Sequence, residues 1–252
     1  MDKRSAAITD ELAARQRILT PPANLDFLLR RRTQFVRDFL PAGQRALEIG
    51  AGVGFTRQYL PGIDLVTTDL RPKAWIDEAA DAQELPYADG SFDASIAIHV
   101  LHHIPSPRRA MHELVRVVRP GGLVLIAEPH SSWLLRGFLR LSRHEYVDAD
   151  VDPYTSEECQ TRPAFPGGGN NALGDLLLGD RARFDAEFPG LELIHHRYVE
   201  CMTFMNSGGV TVRGPAVPLP AGALRALDRV DGLLMRWPGM FAFFQEFVYR
   251  VP

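Results

Sequence analysis

Gly50, Gly52 and Gly54 stand at alternate positions directly after the apolar run 46–49, in which Glu48 is the one acid. Glycine reaches positive φ at low cost and has no Cβ, so this spacing at a strand end lets bare backbone approach a nucleotide-like ligand. Further on, Asp69 closes a second apolar segment, Asp81 and Ala82 follow a broken one, and His99, His102, His103, Glu128 and His130 trail two longer apolar runs. Carboxylates accept from hydroxyls and amines, and histidine exchanges protons near neutral pH. The set can therefore bind a polar cofactor and do acid-base work. The motif also discriminates among cofactors: a triphosphate loop needs Gly-Lys-Ser/Thr, whereas Phe55 and Thr56 follow Gly54. The dinucleotide fingerprint puts its third glycine where Phe55 stands, which weakens NAD.

The positions of these residues depend on the elements that carry them. Leu25, Leu28, Leu29, Phe35, Val36, Phe39 and Leu40 recur at helical spacing and predict a lead-in helix, with Arg30, Arg31, Arg32 and Arg37 on its solvated side. Strands are expected over 45–49, 64–69, 92–100 and 123–127, with a short one within 75–80. Ser106 and Pro107 open a helix that Arg119-Pro120-Gly121-Gly122 stops. This alternation predicts a doubly wound parallel sheet, which binds ligands at its strands' carboxyl ends, where Gly50, Asp69, His99 and Glu128 would gather.

Beyond residue 130 the pattern loosens. A helix over 131–141, a glycine loop over 167–171 in which Asn170 or Asn171 caps the next helix, and helical pieces to about 188 are expected. Strands over 191–204 and 241–251 follow, separated by a proline-rich loop and a helix over 221–236. The chain reads as a single domain, 1–252, with a core over 24–130 and insertions over the site at 131–190 and 206–240.

With 252 residues, 46% of them hydrophobic, the chain can bury a full core without disulfides. A net charge of -3 argues against a broadly basic nucleic-acid surface. Cys159 and Cys201 lie far apart in no metal-binding spacing, so no metal is expected. No run approaches the roughly 20 apolar residues of a membrane span, and the N-terminus lacks an apolar leader. A cytoplasmic protein without stable membrane insertion is the expectation.

The segment Glu48-Ile49-Gly50-Ala51-Gly52-Val53-Gly54 resembles the first motif of class I S-adenosylmethionine (SAM) dependent methyltransferases. Asp69, Asp81-Ala82 before Leu85-Pro86-Tyr87, Ser91-Phe92-Asp93 and Arg119-Pro120-Gly121-Gly122 are similar to its later motifs, in the same order, over about residues 40–130. The resemblance implies a Rossmann-like, mostly parallel α/β sheet of seven strands, the last antiparallel, with a helical or loop insertion over the site. It further implies SAM as cofactor. Glu48 and Gly50 would serve the methionine end against the backbone of Gly52 and Gly54, Asp69 the ribose diol, Asp81 and Ala82 the adenine, with His99 on the same edge. Asp69 and Asp81 lie closer in sequence than the family's usual intervening helix allows, and Arg71-Pro72-Lys73 disfavours that helix.

Methyl transfer is an in-line displacement that needs a base only for poorly acidic acceptors. The chain lacks Asn/Asp-Pro-Pro-Tyr after its fourth strand and any Pro-Cys nucleophile, so a small-molecule or glycan-type acceptor, methylated at oxygen, is expected in place of nucleic acid. His102 and His130, with His103 beside them, are the candidate bases, the alternative being a purely structural role in their loops. His195 and His196 are adjacent on a strand and must face opposite ways. Trp133, Leu134, Leu135, Phe138 and Leu139, with Arg136, Arg140 and Arg143, read as a buried covering helix or as a lipid-facing one. Phe204-Met205-Asn206-Ser207-Gly208-Gly209 faintly resembles bacterial methyltransferases of polysaccharide or secondary-metabolite assembly. Two other functions stay open: an NAD-dependent oxidoreductase, disfavoured by Phe55 and the lack of Tyr-x-x-x-Lys, and a non-catalytic SAM-binding partner subunit. Nothing in the sequence sets the oligomeric state.

Overall fold

The computed structural model describes residues 3–142, 145–161, 168–210, 214 and 216–252, and side chains from residue 11 onward. Its elements run α1 (Lys3–Leu19), α2 (Ala23–Arg32), α3 (Gln34–Phe39), β1 (Arg45–Ile49), α4 (Thr56–Tyr59), β2 (Asp64–Asp69), β3 (Glu78–Ala79) and β4 (Phe92–Ile98). A 3-10 turn (Leu101–His103), α5 (Pro107–Arg116), β5 (Val118–Pro129), α6 (Trp133–Ser142), α7 (Leu173–Leu178), α8 (Arg181–Glu187) and β6 (Glu192–Val199) follow. The chain ends with α9 (Met202–Met205), α10 (Ala221–Leu234), α11 (Pro238–Phe241) and β7 (Phe244–Arg250).

The strands form one seven-stranded sheet in the order β3-β2-β1-β4-β5-β7-β6. β1 pairs in parallel with β2 and β4, as do β2 with β3 and β4 with β5, whereas β7 runs antiparallel to both β5 and β6. This is the Rossmann-like sheet with an antiparallel last strand that the sequence resemblance implies. Strand alternation sends successive side chains to opposite faces. On one face Leu47, Phe92, Val124, Ile126 and Tyr249 pack with Met111, Leu114 and Phe184. On the other, Ala46, Ile96, Leu125 and Val248 pack with Ile18, Leu25, Leu28, Leu29 and Phe35. Both faces are covered, which is why β1, β4 and β5 read as continuous apolar runs.

Several expectations need correction. The lead-in helix is two helices, because the Thr33 hydroxyl donates back to the Leu29 carbonyl at 3.0 Å and competes with helix continuation. Arg32 is not on the solvated side: its side chain is only 7% exposed and pairs with Glu200. Residues 119–122 do not stop α5 ahead of the strand but belong to β5, whose register against β4 shifts between Phe92 and Ala94. The strand expected to reach 204 ends at Val199, since Glu200 takes φ 58° and residues 202–205 turn helical. Likewise Phe241 belongs to α11 and not to the last strand. Trp133 is 82% exposed while Leu135 and Leu139 are buried, so α6 covers the protein with one edge only. No helix among the described residues is long and apolar enough to cross a membrane.

Candidate active site

The glycine loop leaves β1 with φ of 58° at Gly50, 55° at Gly52 and 67° at Gly54. It is tied to the edge of β2: the Ala51 amide donates to the Thr68 carbonyl at 2.9 Å and the Gly52 amide to Asp69 Oδ2 at 3.0 Å. A Cβ on Gly50 would lie 2.1 Å from Val100 Cγ2, so the chain leaving β4 rests directly on the loop. At Gly52, by contrast, a Cβ would meet only the Gly50 carbonyl at 3.8 Å, which leaves bare backbone facing open space.

Glu48 lies buried beneath this loop and accepts a hydrogen bond from the Thr56 hydroxyl. Burial pushes its carboxyl up to about 7, with a smaller contribution from Asp69, against the Thr56 bond and Arg57. Between its ordinary value of 4.5 and about 7 the folded chain holds a proton that the unfolded chain has released. The stabilisation is therefore complete below about 4.5 and lost as pH rises through about 7. Buried Glu246, raised to about 7 by the same cause, acts in the same sense. The urea midpoint is expected to fall between pH 5 and 8, and Glu48→Gln to flatten that fall; an unchanged slope in the variant would place the titration elsewhere.

Asp69 closes β2 and carries more partners than its sequence position suggests. Lys73 Nζ lies 2.9 Å from its Oδ2 and 2.7 Å from Glu11, and the Arg71 amide donates to Oδ1 at 3.2 Å. Trp75 Nε1 donates to the Gly52 carbonyl at 2.9 Å, and Arg15 Nη1 to the Val53 and Gly54 carbonyls at 2.7 and 2.8 Å. Where a helix would ordinarily sit after β2, a short turn thus reaches back to brace the glycine loop. Asp81 is exposed two residues beyond β3, and its Oδ1 accepts from the Gln83 amide at 2.9 Å. Ala82, half-buried, packs on the core.

His99 takes φ 56° at the end of β4 and sets its ring edge-on to Phe244, 4.2 Å between centroids. Burial, aided by Arg32 and the neighbouring histidines, pushes its imidazole well below the ordinary value. Glu128, fully buried, accepts from the Val100 and Leu101 amides at 2.8 Å and lies 2.8 Å from His102 Nδ1. Glu145 Oε1 lies 3.8 Å from His102 Nε2 and 3.6 Å from His103 Nε2. Burial opposes charge on His102, but Glu128 and Glu145 outweigh it and hold its imidazolium up to about 10. His130 Nδ1 lies 2.7 Å from Asp175 Oδ1, and Asp175 also takes the Ser131 amide. The carboxyl ends of β4 and β5 thus each carry a histidine braced by a carboxylate.

Arg15, Lys73, Trp75, Glu145 and Asp175 were not anticipated as site residues. All five come from outside the motifs, and only the unexplained shortness of the 70–77 segment pointed toward two of them. Neither Asn170 nor Asn171 caps α7. Asn170 Oδ1 instead accepts from the Asp148 and Ala172 amides, and Asn171 Nδ2 donates to Glu145 Oε2 at 2.9 Å. Gly167 and Arg143 lie outside the described residues. His195 packs on Phe39 while His196 stacks on Phe247, on opposite faces as expected.

Sheet order, glycine loop and the acid at the end of β2 are together those of the class I SAM-dependent methyltransferase fold, a class whose cofactor is SAM. Residues 47–126 match the family model described as a methyltransferase domain. Demethylmenaquinone methyltransferase of Paenarthrobacter aurescens is 33% identical over 144 residues, 48% of this chain and 57% of that protein. The tRNA (carboxymethyluridine(34)-5-O)-methyltransferase of Arabidopsis thaliana is 38% identical over 144 residues, 50% of this chain and 35% of the relative. The chain thus spans little more than half of the one and about a third of the other. A SAM dependent methyltransferase from Archaeoglobus fulgidus shares the fold, with a TM-score of 0.51, 15% identity, and coverage of 88% of this chain and 93% of that one. Because one relative's name carries a tRNA, the expectation that nucleic acid is excluded finds no support among the relatives.

The residues present fit SAM on structural grounds. The open backbone at Gly52 offers a flat approach, and the Asp69 carboxylate at the adjoining strand end is the acceptor a vicinal diol requires.

Proposed function

We propose that the whole chain methylates a small-molecule or glycan-type acceptor at oxygen, with the segments 131–190 and 206–240 roofing the acceptor over the 24–130 core. The observation that carries this reading is the contact of Val100 with Gly50, which sets the His102 turn beside the glycine loop. Bound SAM supplies an electrophilic methyl group. Glu48 and Gly50 would serve its methionine end, Gly52 and Gly54 would give it backbone to lie against, Asp69 would accept from the ribose hydroxyls, and Asp81, Ala82 and His99 would line the remaining edge.

An alcohol is too weak an acid to react well unaided, so a base held near it contributes on the order of 10²–10⁴-fold. His130 suits that role, because Asp175 on Nδ1 fixes the ring and leaves Nε2 to take the proton. His102, gripped by two carboxylates, orients Glu145 and the acceptor's polar groups.

SAM or S-adenosylhomocysteine at 100 times Kd is expected to stabilise the protein by about 2.7 kcal/mol in thermal unfolding, and NAD not at all. Asp69→Ala removes most of that shift. Stabilisation by NAD alone would overturn the reading, and labelled SAM incubated with a cell extract locates the acceptor by the position of the label.

A further inference from the structure

His102, His103 and Glu145 form, among the described residues, a group that brings three metal-ligating atoms within 4.8 Å of one another. The donors are His102 Nε2, His103 Nε2 and Glu145 Oε1, with Glu145 Oε1 3.8 and 3.6 Å from the two nitrogens. A tetrahedral cation bound at about 2.1 Å separates its donors by about 3.4 Å, so the two carboxylate–imidazole distances need close by only a few tenths of an ångström, and the two nitrogens start within 4.8 Å of each other. Two imidazoles and one carboxylate are the donor set of a zinc-type catalytic site that keeps a fourth position open.

Each donor is also held from behind. Glu128 Oε2 sits 2.8 Å from His102 Nδ1, so the ring's other nitrogen keeps its lone pair for the group's centre once a cation displaces the proton. Asn171 Nδ2 donates to Glu145 Oε2 at 2.9 Å and leaves Oε1 for the centre. Gly169 closes the third side: a Cβ there would fall 2.6 Å from His102 Cδ2 and 2.7 Å from His103 Nδ1, so the rings are wedged in place. The side chain of His102 is 3% exposed and that of His103 35%, which opens the group on the His103 side.

We propose that His102, His103 and Glu145 bind a divalent first-row cation, zinc by preference, whose open position receives the acceptor's oxygen. The site's use in acceptor binding rests on the functional reading above; the binding of the cation does not. A cation there would draw electron density from a bound hydroxyl and make it more acidic, so that its proton passes more readily to Nε2 of His130, the base of the reading above.

The test is equilibrium dialysis of the metal-stripped full chain against Zn²⁺, with Co²⁺ as the spectroscopic probe. Expected are one equivalent per chain and strong visible bands of tetrahedral Co²⁺. His103→Ala, at a half-exposed position, and Glu145→Gln should each weaken binding at least tenfold while retaining the SAM thermal shift. Absence of stoichiometric binding in the wild type, or equal binding in both variants, overturns the proposal. A SAM shift without metal binding sinks the metal site alone, and metal binding without a SAM shift sinks the functional reading alone.

Discussion

Replacing Gly50 with alanine is expected to abolish measurable SAM binding and to lower the unfolding temperature. Two separate costs arise. At φ 58° an L side chain crowds its own backbone, which costs about 1–2 kcal/mol. The new methyl group would also sit 2.1 Å from Val100 Cγ2 and 2.9 Å from its Cβ, and such overpacking costs about 1–3 kcal/mol more. To relieve the contact, the turn after β4 must move away from the loop and carry the His102 group with it. Gly52→Ala separates the terms: φ is 55° but no side chain lies near, so stability should fall by the backbone term only while the methyl still blocks the cofactor's approach. Thermal unfolding and isothermal titration with S-adenosylhomocysteine on both variants check this. Wild-type affinity in Gly50→Ala would mean that the loop does not face the cofactor.

The contrast between those two glycines illustrates what sequence could and could not reveal. Spacing alone marked both as bare backbone, because the positive φ that glycine permits is a local property. That Gly50 is also pinned by Val100 depends on β1 and β4 being neighbours, which only the sheet order supplies. The same division holds elsewhere. Strands β1 and β4 were legible because burial on both faces leaves apolar runs, and β2 because its Leu-Val-Thr-Thr stretch favours extended backbone. The break at Thr33 was not, because a side-chain hydroxyl competing for a helix carbonyl leaves the hydrophobic period intact. Glu145 and Asp175 were invisible as site residues for another reason. Each meets its histidine across a long stretch of chain, through loops whose course no period encodes. Glu200 is the extreme case: nothing sets it apart within the strand expected over 191–204, yet it ends the strand by turning inward toward Arg32.

That inward turn leads to the other large expected effect. Arg32 meets Glu200 through a two-pronged contact, Nε to Oε1 and Nη2 to Oε2, both at 2.8 Å, with each side chain 7% exposed. The guanidinium also lies over the rings of Phe244 and Phe204, at 4.8 and 5.4 Å from their centroids. Glu200→Gln keeps the shape but leaves the cation uncompensated among aromatic rings, which should cost about 3–5 kcal/mol. For a chain of this size that corresponds to a fall of roughly 6–20 °C in Tm. If the loss comes from stranded charge, the double variant Arg32→Met with Glu200→Gln should recover most of it, since an apolar chain suits the same aromatic walls. If it comes from lost shape, the double variant should be no better than the single. The result also bears on the proposed site, because Phe244 carries the edge-on contact with His99 at the carboxyl end of β4. A protein that keeps its fold in Glu200→Gln but loses affinity for SAM would place the buried pair among the elements that hold this edge in register.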